Sequence, residues 1–137
     1  MNQHIYLRAY MAGIVVPTIF LLVIATGFAI DRYVYDLPVP IERVIVFPMA
    51  VVPNLWGLWN ILFIALRPHV RIPLGLHGAF LPILLAPLGL VVAGLLHFPA
   101  WDLVSHVWPI AAPLALIVYY FAWKYLVGFL NRVQQIA

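Results

Sequence analysis

The chain contains no cysteine and very little charge. Without cysteine it has no disulfide, no thiolate nucleophile and no Cys-ligated zinc or iron–sulfur cluster. Only 8% of its 137 residues are charged, against about a quarter in a soluble domain. The acids are Asp31, Asp36, Glu42 and Asp102, and none lies inside an apolar run. Paired carboxylates for general acid–base work therefore have no candidates at depth. Nor is there a basic stretch interleaved with aromatics, so nucleic-acid binding is not expected.

What the chain does have is apolar sequence: 66% of its residues are hydrophobic, and the mean hydropathy is +1.09. A helix needs about 20 apolar residues to cross the hydrocarbon core of a bilayer. Such runs occur at residues 9–30, 43–66, 74–96 and 103–128, with the loops marked by Pro38, Pro40, Pro68 and Pro99. The first run is too long for the apolar core of a signal peptide, so it is expected to stay as a transmembrane helix. Together the runs account for residues 1–137 as one transmembrane domain. The expected fold is all-α, an integral membrane bundle of four helices running up-down-up-down, because short loops make sequential helices neighbours.

Charge sets the expected orientation. Arg8, Arg67, Arg71, Lys124 and Arg132 fall on one rim, whereas Arg32 and Arg43 share the other with all the acids. Lys and Arg concentrate on the cytoplasmic side, so both termini should face the cytoplasm across a bacterial inner (plasma) membrane. The net charge of +3 then reflects topology. A basic rim of this kind can also bind anionic lipid headgroups.

Each helix carries a proline near its middle: Pro17, Pro53, Pro82 with Pro87, and Pro113. Proline removes a backbone hydrogen bond and tends to kink its helix, and the freed carbonyl needs a partner. Thr18 and Asn54, each beside a proline, are the local candidates. The most polar stretch of any apolar run, Val52 to Asn60, lies at the same depth. At about 100° per residue, Pro53, Asn54, Gly57 and Asn60 share one side of the helix, with Leu55, Leu58, Trp59 and Leu62 towards the other. Hydrocarbon satisfies none of the hydrogen bonds of a buried asparagine. That face must meet another helix, another protomer or a hydrated cavity. Small residues on the third helix (Gly75, Ala79, Pro82, Ala86, Gly89, Ala93, with His97 at the end) and the weaker set Ala112, Ala115 and Ala122 predict close helix packing.

These features support a carrier or channel for a small neutral solute or a lipid. Its substrate-binding candidates are Asn54, Asn60, Trp56 and Thr18. The alternative is a non-catalytic subunit or assembly factor of a larger membrane complex. A metal-dependent membrane enzyme comes third, with His97, His106 and Asp102 around one short loop as weak metal candidates. His77 and His97 stand 20 positions apart on one helix and cannot hold one haem between them. No cofactor is expected. The expected partners are membrane lipids and either further copies of the chain or a partner membrane subunit.

The orientation is testable because the natural chain offers no background thiol. Asp36→Cys should react with a membrane-impermeant maleimide in intact cells, and His69→Cys only after permeabilisation. The opposite pattern would invert the topology.

Overall fold

A computed structural model describes residues 3–95, 97 and 100–136; side chains at 43, 44, 46 and 100–104 lie outside that description. The described residues are helical, with no strand among them. Four helices are long and apolar enough to cross a membrane: α1 (Ile5–Tyr33), α2 (Phe47–Leu66), α3 (Leu74–Leu95) and α4 (Ser105–Val133).

Their limits depart from the hydropathy runs in instructive ways. α1 stays helical through Asp31, Arg32 and Tyr33, beyond the last apolar residue. Arg32 pairs with Glu42 across the connection to α2, an exposed ion pair that solvent screens strongly. A turn at Ile41–Val44 and a π-helical turn at Ile45–Met49 lead into the regular helix Ala50–Leu66. Pro48 lies in that wider turn and has no N–H to give to a tighter one. The helix that contains α4 starts before the apolar span, at Ala100, and continues past residue 128 through a second π-helical turn, Ala122–Val127, to Val133.

Pro17, Pro53, Pro87, Pro109 and Pro113 all sit within continuous helix. Among the described spans only α3 is interrupted, at Phe80, between Leu74–Ala79 and Leu81–Leu95. Pro82 accounts for the break, since it cannot donate to the Gly78 carbonyl and its ring crowds that turn.

Among the described residues, burial is confined to one half of every helix. The buried residues are Ala9 to Leu21 of α1, Trp56 to Ile64 of α2, Gly75 to Leu85 of α3 and Trp123 to Asn131 of α4, with Ile136 beyond. These segments lie together, near the end that carries Arg8, Arg67, Arg71 and Arg132. Lys124 is different. Its neighbour Trp123 stacks near Trp56, which meets Gly13, so Lys124 stands one to two turns further in than Arg8. It is exposed there, with its ammonium over the rings of Tyr120 and Tyr125.

Small residues make the packed half possible. A methyl group on Gly13 would lie 2.6 Å from the Trp56 carbonyl oxygen and 2.8 Å from the Gly57 Cα. On α3 the tightest approach is at Gly78, where a methyl would overlap Trp123 at 1.9 Å from its Cγ. The expected arc on α3 is realised only at its start, where Gly75 is buried against Tyr120. Ala79, Pro82, Ala86, Gly89 and Ala93 are half-buried, and the buried line is His77, Gly78, Leu81 and Leu85. That line keeps a four-residue spacing through Phe80 (His77, Leu81, Leu85), so the buried side of α3 is the one that meets Trp59 and Trp123, not the arc of small residues.

These contacts predict a sign difference among glycine-to-alanine variants. Gly13→Ala and Gly78→Ala should each lose about 1–3 kcal/mol through overpacking. Gly27 and Gly94 have no atom within 4 Å of an added Cβ, so Gly27→Ala and Gly94→Ala should be neutral or gain up to about 1 kcal/mol of helix propensity. Thermal unfolding of the four variants in one detergent checks the order.

Candidate functional site

The amides of α2 have well-defined partners. Asn60 is fully buried and faces Asn131 of α4, which is also fully buried. Each donates to the other's carbonyl oxygen, Asn60 Nδ2 to Asn131 Oδ1 at 2.8 Å and Asn131 Nδ2 to Asn60 Oδ1 at 3.1 Å. Asn60 Nδ2 also donates to the Ala9 carbonyl at 2.7 Å. Both hydrogens of that amide are thus used, and three helices meet at one side chain. Asn131 lies beyond the fourth apolar run, residues 103–128, and is not among the sequence candidates. The signal that marks it is the spacing Trp123, Val127, Asn131, an i, i+4, i+8 stripe that is buried throughout.

The other candidates lie apart from this pair. Asn54 is exposed; it accepts from the Tyr10 hydroxyl of α1 and donates to the Ala50 carbonyl at 2.7 Å. Thr18 is half-buried and donates to the Ile14 carbonyl at 2.6 Å. Neither takes the carbonyl that its neighbouring proline frees, which belongs to Met49 for Pro53 and Gly13 for Pro17. A side chain on a helix reaches the carbonyl four residues before itself, and that one is already bonded. Of the named candidates, Trp56 lines a cavity. Leu58 and Leu62 are exposed as the wheel requires, but Trp59 and Leu55 are half-buried against other helices.

Trp59 and His77 form a reciprocal bridge between α2 and α3. The Trp59 indole donates to the His77 carbonyl at 2.8 Å, and His77 Nε2 donates to the Trp59 carbonyl at 2.9 Å. A carbonyl only accepts, so Nε2 carries the proton. The two rings stack with centroids 4.8 Å apart. His97 and His106 are both exposed, and His106 Nδ1 lies 3.2 Å from Ser105 Oγ. The side chain of Asp102 lies outside the described residues. Among the described residues no three His, Cys, Asp or Glu gather as a metal cluster.

Where the packed half ends, two hollows open. The first, about 360 Å³, is bounded by Val16 and Pro17 of α1, Val52 and Trp56 of α2, and Tyr119 and Ala122 of α4. The second, about 320 Å³, lies between Phe47 and Val52 of α2, Pro82 and Ala86 of α3, and Trp108, Ala112 and Tyr119 of α4. Val52 and Tyr119 belong to both, so the hollows adjoin. Their linings contain no charged residue. Ala112, Ala115 and Ala122, expected to close helix pairs, instead line this space. Trp56 Nε1 points to the Tyr119 hydroxyl at 3.4 Å, with the two rings 5.0 Å apart.

If the amide pair holds α2 to α4, a double-mutant cycle of Asn60→Ala and Asn131→Ala should give a coupling of about 0.6–1.7 kcal/mol, the range of interhelical hydrogen bonds in membranes. Asn60→Ala should be the costlier single change, because it also strips the Ala9 carbonyl. Strictly additive unfolding energies would exclude the pairing.

No protein-family model, curated protein or solved structure matches the chain, and its function therefore has to be argued from this geometry.

Proposed function

We propose that the chain is an up-down-up-down membrane protein, both termini cytoplasmic, that binds or carries a lipid-like apolar molecule between its helices. The observation that carries this reading is the pair of adjoining apolar hollows beside Val52 and Tyr119. Each falls at the lower end of the range for small-molecule sites, about 300–1,000 Å³. A small polar solute fits less well, because Asn60 is buried with its amide already bonded and Asn54 is engaged outside the hollows. The charge asymmetry supports the orientation.

The test is native mass spectrometry of protein extracted gently from its own membrane, with lipid analysis of what accompanies it. A bound molecule enriched over the bulk lipid is expected, and Ala122→Phe with Ala115→Phe, which fill the two hollows, should expel it. No enrichment, or enrichment that survives the filled hollows, would refute the reading.

A second reading, a non-catalytic subunit of a larger membrane complex, is favoured by Lys124. An ionisable residue exposed within an apolar span is costly unless it snorkels or meets a partner. Release of the protein as one component of a larger assembly, lost in Lys124→Leu, would support this reading over the first.

A further inference from the structure

We infer that the Tyr119 hydroxyl is the recognition point of the hollows, and that their ligand is a neutral long-chain lipid bearing a carbonyl oxygen. This rests on reading the hollows as a ligand site. Tyr119 borders both of them. Its oxygen accepts from Trp56 Nε1, but its own O–H has no acceptor among the described residues. A phenol carries one donor as well as its acceptor sites, and leaving a donor unmet in an apolar setting is costly. The other polar group in the lining of the second hollow is the Trp108 indole, which is a donor only. The walls therefore offer hydrogen-bond donors, no carboxylate and no cation.

That inventory selects among lipids. A phosphate or free carboxylate would lose its hydration with no positive charge to meet it, and an ammonium group would find no anion. A plain hydrocarbon would leave the phenol unmet. An ester or ketone accepts from Tyr119, has no proton to place, and lets its chain lie along the aliphatic walls. The position of Tyr119 in both hollows means that a carbonyl part-way along a chain can be met with apolar chain on either side.

The experiment compares two probes in nanodiscs, a dibrominated long-chain methyl ester and a dibrominated alkane of the same length, read by quenching of tryptophan fluorescence. Trp56 and Trp108 border the hollows and report occupancy. The wild type should bind the ester about three- to tenfold more tightly than the alkane, the worth of one hydrogen bond. Tyr119→Phe should abolish that preference and leave alkane binding unchanged. Saturable binding of both probes with equal affinity in the wild type would overturn the inference while leaving the hollows as a ligand site. So would an ester preference that survives Tyr119→Phe. If neither probe quenches saturably in the wild type, the ligand site itself fails, and the inference with it.

Discussion

The fold depends on the buried carboxamide of Asn60. An amide removed from solvent must find protein partners for two hydrogens and an oxygen, or it costs stability. Asn60 finds them on α1 and α4 at once, through the Ala9 carbonyl and the Asn131 amide. Two amides facing each other fix the depth of one helix against the other, since a shift of one turn would break both bonds. Leucine in either place would pack without specifying that register. Small residues let the backbones come close enough: Ala9 and Gly13 on α1 and Gly57 on α2 surround the point where the bonds form.

Fixing the helices at one end leaves them free to diverge at the other. From the amide pair the packed core runs through Val127, Trp123 and Trp56 to Leu81 and Leu85, and there it stops. Beyond it the facing side chains include Ala86, Ala112 and Ala115, too small to bridge the gap, and Pro82 has already broken α3. The hollows follow from these two facts together. A bundle packed tightly past Leu85 would close this space, and one without the amide anchor would lack a fixed register.

Much of the architecture was legible in the sequence, because long apolar runs have few alternatives. That α2 must use its amides was also legible, since hydrocarbon offers a buried Asn60 nothing. The partner was not. Asn131 sits beside Arg132 and Gln134, and average polarity masks a residue whose helical phase, not its neighbourhood, buries it. The hollows were missed for a related reason. A stripe of alanines reads as close packing on a wheel, yet whether a neighbour fills the space depends on how the helices diverge. At Ala112 and Ala115 the neighbours leave it open, and the second hollow lies there.

Tyr119 sits at the boundary of the two regimes. It continues the stripe of Trp123, Val127 and Asn131 by one more turn, at the point where full burial ends. Asn131 and Trp123 are wholly enclosed, whereas Tyr119 is half-buried and faces open volume. The next residue on the stripe, Ala115, lines a hollow outright. A phenol at this transition is met on one side by the Trp56 ring and indole N–H and borders the two hollows on the other. Phenylalanine would fill the same volume without a polar atom to satisfy. A hydroxyl bordering an otherwise apolar space makes physical sense if that space is occupied by something that accepts its hydrogen bond.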